Sequence, residues 1–152
     1  MYLKALISPD RVVLHLKGGN RREILEALVG TLEKDHILTD ADAFIGDLEK
    51  REEEITTQVE AGVAFPHARS SAVRRLALVV GIADEPGLVF NPDVSEPCRI
   101  FFLIAVPSLA PTAHLPLLQK LANFAHNPKQ TKKLLNCDST TQAVRCLKSF
   151  KG

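Results

Sequence analysis

An α/β domain is the fold class this sequence predicts, on three observations. Two continuous apolar runs of strand length, residues 76–83 (LALVVGIA) and 100–106 (IFFLIAV), have the composition of strands covered on both faces. Helical periodicities precede these runs and others follow them, so helices flank a central set of strands. No Pro/Gly/Ser-rich linker or internal repeat interrupts the chain, and its 152 residues read as one domain able to bury a sizeable core. The order helix, helix, strands, helix, helix leaves the sheet topology open.

Taken in order, residues 11–16 (RVVLHL) make a short strand. Asn20 then caps a helix, with Glu23 at the capping-box spacing and Ile24, Leu25, Leu28, Val29 and Leu32 on one face. A second helix spans residues 40–50, with Phe44, Ile45 and Leu48 as its apolar stripe. The charge run EKREEE at 49–54 reads as its solvated end. Residues 55–59 and 63–65 form extended segments around a turn at Gly62. Turns are expected at DEPG (84–87) and across NPDVSEP (91–97), on either side of 88–90. After the second apolar run a loop leads to a helix beginning near His114, with Thr112 as cap and Pro116 in the first turn. Residues 128–135 form a short helix, and Ser139 caps a last one carrying Val144, Leu147 and Phe150.

Composition excludes several classes. Nineteen Lys and Arg against eighteen Asp and Glu leave a formal charge of +1, which gives no field for nucleic acid or an anionic membrane. No stretch approaches the roughly 18 apolar residues of a membrane span, so no membrane insertion is expected. No secretory leader is recognisable, and Cys98, Cys137 and Cys146 form no CxxC pair. A reducing cytoplasmic location follows as the expectation.

The chemistry centres on residues 62–69, GVAFPHAR, where an apolar run stops at Pro66 and His67 stands where the backbone must turn. An imidazole with an ordinary pKa of about 6.5 is largely neutral and nucleophilic near neutral pH. Of the other histidines, His15, His36 and His126 read as structural or surface residues. His114 differs, because like His67 it lies where a strand-like segment gives way to a loop or helix start, the place where sites gather in α/β sheets. A helix start also offers free N–H groups to an anion. If the two rings meet, one serves as nucleophile and the other as hydrogen-bond donor to the transferred group. Arg51 is the candidate for further positive charge, against the simpler reading of a surface arginine paired with Glu52 or Glu54. Thr56 and Thr57 are β-formers or hydroxyl donors. Metal binding by two histidines would need Asp93, Cys98 or a glutamate as third ligand, and no HExxH, HxH or CxxC spacing supports it. Nor is there a GxSxG elbow for a serine hydrolase.

These residues carry a family likeness. The series RE (51–52), TT (56–57), GVAFPHAR (62–69), LAL (76–78), PGLVF (86–90) with Asp93, FFLIAVP (101–107) and HL (114–115) resembles the type-2 IIA domain of the bacterial phosphoenolpyruvate-dependent phosphotransferase system. That class includes the fructose and mannitol IIA proteins and the nitrogen-related IIA regulators. The resemblance spans residues 1–152 and implies a single domain with a mixed β-sheet flanked by helices on both sides. It implies that His67 is phosphorylated by a phospho-HPr-like donor and passes the phosphoryl group to a IIB-type acceptor. A regulatory target protein takes the acceptor's place in the nitrogen branch. It further implies that Arg51 pairs with the phosphoryl oxygens, that His114 is the second active-centre histidine, and that Thr57 is a weaker substrate-binding position. No metal or organic cofactor is implied. Two departures stand out. The family usually has glycine where this chain has Glu60, and an Asp-Gly pair where this chain has Asp93-Val94. The first adds bulk and negative charge near the entry to the active loop, and the second alters a turn.

Overall fold

In a computed structural model describing residues 2–152, a six-stranded mixed sheet lies between two helical layers. The strands are β1 (Val12–Leu14), β2 (Gln58–Val59), β3 (Val63–Ala64), β4 (His67–Ser70), β5 (Ala77–Ile82) and β6 (Ile100–Pro107). Central β6 runs antiparallel to β5, and β5 runs parallel to the edge strand β1. On its other side β6 pairs in parallel first with β3 and then, farther along, with β4. β3 and β4 are therefore one row broken at Phe65-Pro66, with β2 antiparallel to the first half only.

The two long apolar runs are covered on both faces, and their alternation assigns each residue to a layer. Ile100, Phe102, Ile104 and Val106 of β6 face one core, shared with the helices α1 (Tyr2–Leu6), α4 (Leu115–Ala125), α5 (Pro128–Leu135) and α6 (Thr140–Ser149). Phe101, Leu103 and Ala105 face the other, shared with α2 (Arg21–Val29) and α3 (Ala41–Glu54). Phe124 joins the first core by edge-on contacts with Phe102 and Phe150, at centroid distances of 6.1 and 5.2 Å. Gly81 lets α2 approach the sheet: a Cβ there would stand 2.6 Å from Leu28 Cδ2. The mixed sheet with helices on both sides is the predicted class.

Local signals also hold. Asn20 Oδ1 accepts the Glu23 amide at 2.9 Å, and Asp40 and Ser139 cap α3 and α6 in the same way. Glu23, however, returns its carboxylate to the Gly19 amide, one residue before the cap. The first helix also ends early, at Val29, and passes into a 3-10 segment (Gly30–Asp35) that still buries Leu32.

Four expectations need correction. The strand over 11–16 shortens to β1, because His15 takes φ 55° and leaves the ladder; its Nδ1 lies 2.8 Å from Asp84 Oδ1. The second helix runs on to Glu54, and Glu52 is buried at 4% exposure rather than part of a solvated end. α4 is preceded by His114, not Thr112: His114 is already helical (φ −83°, ψ −12°), and Thr112 contributes its carbonyl, which accepts the Leu115 amide. The chain does not leave the sheet at His67 but re-enters it there as β4. Helix α1 was not foreseen; it docks Leu3 and Ile7 into the first core against α4 and α6.

The two departures in sequence sit on turns. Glu60 is exposed and opens a 3-10 turn in which Ala61 (φ 66°) and Gly62 (φ 69°) are both left-handed. At Gly62 a Cβ would also stand 3.0 Å from the Pro97 carbonyl oxygen, so glycine is the residue that fits. Around Val94 the Asn91 side chain and carbonyl accept the Asp93 and Val94 amides. Val94 keeps a negative φ, so the backbone there makes no demand for glycine.

Candidate active site

The broken row determines where His67 stands. Pro66 has no N–H to give, yet its carbonyl still accepts the Ile104 amide at 2.9 Å, which keeps the row against β6 through the break. Phe65 faces the opposite side of the row: its amide extends the β2 pairing to the Thr57 carbonyl, and its ring is buried against Phe102 at 5.6 Å. The Phe65 carbonyl is then left facing the imidazole of His67, and Nδ1 of His67 donates to it at 2.7 Å. A carbonyl oxygen can only accept, so the proton sits on Nδ1 and Nε2 carries the free lone pair.

The segment before the break is braced by Glu52. Its buried carboxylate accepts the Thr57 hydroxyl (2.7 Å), the Thr57 amide (2.5 Å) and the Thr56 hydroxyl (2.9 Å). A chain of hydrogen bonds thus runs from Glu52 through Thr57 to Phe65 and on to His67.

β4 is unpaired on its outer side, and α3 packs across it. From the last turn of α3, Arg51 reaches the edge, anchored by donation from its guanidinium to the Ile55 carbonyl at 2.8 Å. It makes no ion pair with Glu52 or Glu54. From the other helical layer His114, 8% exposed at the head of α4, brings its ring to 5.6 Å from that of His67, tilted by 37°. Nδ1 of His114 is buried with no hydrogen-bond partner. Arg51, His67, Arg69, Thr112 and His114 line one cleft of about 270 Å³.

Electrostatics keep both rings neutral. Burial pushes the His67 pKa below its ordinary value, and Arg51 and Arg69 add to this. The Phe65 hydrogen bond and the Glu52 charge oppose it without reversing it. His114 is lowered too, by burial first and then by His67 and Arg69. A neutral His67 with its proton fixed on Nδ1 is a nitrogen nucleophile.

Three predicted site residues, His67, His114 and Arg51, thus meet in one cleft. Thr57 does not reach it, since its hydroxyl is committed to Glu52 behind the break. Missed in the sequence were Glu52, masked by the charge run around it, and Arg69. The alternation in β4 was the available signal for the latter, because Ala68 and Ser70 are buried while Arg69 shares the face of His67. The other histidines lie elsewhere: His36 ends a 3-10 segment at φ 53° and His126 caps the C-terminus of α4. Cys98 is buried with its thiol donating to the Gly62 carbonyl, and burial pushes its pKa up. Among the described residues no three His, Cys, Asp or Glu side chains gather as metal ligands. Nor is any helix there long and apolar enough to cross a membrane.

The model of the phosphoenolpyruvate-dependent sugar phosphotransferase system EIIA 2 family matches residues 5–150. The chain belongs to this family. This EIIA 2 chain is 24% identical over 139 residues to the fructose-specific EIIABC component of Bacillus subtilis, covering 91% of the chain but only 22% of that protein. It is 28% identical over 120 residues to the nitrogen regulatory protein of Pseudomonas aeruginosa, covering 79% of the chain and 77% of that protein. Among solved structures it resembles the nitrogen regulatory protein IIA-Ntr of Neisseria meningitidis, with a TM-score of 0.86, 24% identity, and 97% and 99% of the two chains covered. Both the sugar and the regulatory branches of the family are represented among its relatives.

Proposed function

We propose that the chain is a phosphoryl carrier that accepts a phosphoryl group from phospho-HPr on His67 and passes it to a IIB partner. One observation carries this reading. The 2.7 Å bond from Nδ1 to the Phe65 carbonyl leaves Nε2 as the reactive nitrogen, in a cleft that also holds Arg51 and His114.

In the uptake step the Nε2 lone pair forms a bond to phosphorus. The N–P bond of the donor's phosphohistidine breaks, and its electron pair returns to the donor nitrogen. Charge spreads over three equatorial oxygens, and the protein's task is to position the group and offset that charge. Arg51 donates to one oxygen with the N–H groups not used on Ile55, and the unpartnered ring of His114 donates to another. The proton retained on Nδ1 makes the ring a good leaving group for the onward transfer. Thr57 acts one step back, holding Phe65 rather than the phosphoryl group. The reaction needs no metal or organic cofactor.

The test is to incubate the protein with labelled phosphoenolpyruvate, enzyme I and HPr. Acid-labile label is expected on the wild type and none on His67→Ala. Equal labelling of the two proteins, or none on the wild type, refutes the proposal.

A second reading is a nitrogen-type IIA regulator, in which phosphorylation of His67 switches binding to a target protein. It is favoured by the match to the Pseudomonas aeruginosa protein, which covers about the same share of both chains. A pull-down with wild type and His67→Asp separates the readings: a partner set that changes with the mimic supports the switch, and an unchanged set counts against it.

A further inference from the structure

We propose that Arg69 is a second guanidinium ligand of the phosphoryl group on His67. The inference rests on the phosphocarrier reading and assigns that site a residue it does not otherwise use.

The geometry begins with the strand. His67 and Arg69 are two apart in β4 and project from the same face, roughly 7 Å apart along the chain. Their places are fixed by pairing with Ile104 and Val106 of β6. Arg69 lines the His67 cleft and also a second one, of about 260 Å³, whose walls include Asp47 and Glu54. With carboxylates on that side, an ion pair would be the ordinary fate of such an arginine. Arg69 makes none, and no hydrogen bond to its guanidinium is formed among the described residues. Five N–H donors stand unassigned at the mouth of an anion site.

The two arginines are placed differently. Arg51 lines the cleft from the last turn of α3, whereas Arg69 lines it from the strand that carries His67, and its charge lowers the pKa of both His67 and His114. In-line transfer to Nε2 leaves three equatorial oxygens to be satisfied. Arg51 approaches from the α3 side and His114 from the α4 side. Arg69, from the strand itself, is the remaining donor for the third. Its rigid fork of donors holds that oxygen in a more fixed geometry than a point-like ammonium does, so lysine should replace it only in part.

The experiment follows single-turnover phosphorylation of wild type, Arg69→Ala, Arg69→Lys and Lys129→Ala. Two donors are used: phospho-HPr over a range of concentrations up to saturation, and phosphoramidate, which brings no protein surface. The 31P NMR shift of each phosphoprotein is recorded as well. Lys129 is an exposed residue of α5 and controls for the loss of one positive charge. Arg69→Ala is expected to slow uptake about 10- to 100-fold with both donors, less than a fully enclosed oxyanion donor because Arg69 is exposed. It should also move the 31P resonance, with Arg69→Lys intermediate and Lys129→Ala like wild type. Uptake from phosphoramidate within twofold of wild type, or a defect seen only in the KM for phospho-HPr, would overturn the assignment and make Arg69 a docking contact. A wild type that takes no label from either donor, or takes it elsewhere than His67, refutes the phosphocarrier reading itself and this assignment with it.

Discussion

Glu52→Gln tests the brace behind His67. The substitution keeps the volume of a side chain that is 4% exposed but removes the charge. At present one carboxylate accepts from the Thr57 amide, the Thr57 hydroxyl and the Thr56 hydroxyl. A glutamine oxygen at the Oε2 position keeps the Thr57 amide and the Thr56 hydroxyl, while the amide nitrogen meets the Thr57 hydroxyl, which can accept from it but then loses the acceptor for its own proton. One buried donor left unpaired costs about 1–3 kcal/mol, and each surviving bond loses roughly 1 kcal/mol of charge assistance. The sum is a destabilisation of about 3–5 kcal/mol, large against the 5–15 kcal/mol total of an ordinary domain. Urea unfolding measures it as a fall in midpoint at unchanged slope. A second readout is specific to the site. The Glu52 charge holds the His67 pKa up, so its removal must lower that pKa further, as followed by imidazole NMR titration. A loss of stability under about 1 kcal/mol, or a His67 pKa that stays or rises, refutes the reasoning.

Acidification should destabilise the fold through the same rings. His67 and His114 both have native pKa values below the unfolded 6.5, so as pH falls through 6.5 the unfolded chain takes up protons that the native rings resist. Their contribution is neutral above pH 6.5, and stability drops between that value and the native pKa values. Unfolding midpoints at pH 7.5 and 5.5, compared with those of a His67→Ala, His114→Ala double variant, report it as a smaller drop in the variant. Gly81→Ala should cost about 1–3 kcal/mol by overpacking, since its Cβ would meet Leu28 at 2.6 Å and Leu16 at 2.9 Å. Thermal unfolding checks this, and Leu28→Ala in the same background should return part of the loss.

The layers of the fold were legible because the two central strands are apolar on both faces, a pattern few other arrangements produce. What escaped notice has a common cause, namely segments whose structure is decided by distant partners. α1 spans only Tyr2–Leu6, too short for helical periodicity to register, and it exists because Leu3 and Ile7 find α4 and α6. Glu52 sits inside a run of six charged residues, where pattern reasoning assigns every member to solvent. Its burial depends on two threonines and an amide that appear only when the chain turns back at residues 56–57. The caps of α2 and α6 were readable for the opposite reason, since cap and amide lie three residues apart.

The same distinction explains why the site was half visible. His67, Arg51 and His114 carry recognisable residue types, but what makes His67 reactive is the carbonyl left free at Phe65, and that is a matter of pairing. A proline in a strand normally ends it or confines it to an edge. Here the row resumes, because Ile104 still finds the Pro66 carbonyl, while Phe65 faces the β2 side and gives its amide to Thr57. The Thr57 amide, which would return the bond, goes to Glu52 instead, and so leaves the Phe65 carbonyl to His67. A β2 ladder continued through Thr57 would occupy that carbonyl and leave the ring free to choose its tautomer. Ending the strand at Pro66 would lose the β4 alternation that sets Arg69 beside His67. Only a row that resumes on β6 while the β2 ladder stops at Thr57 does both, which is why Glu52, though it carries no reactive group, stands behind the chemistry of the site.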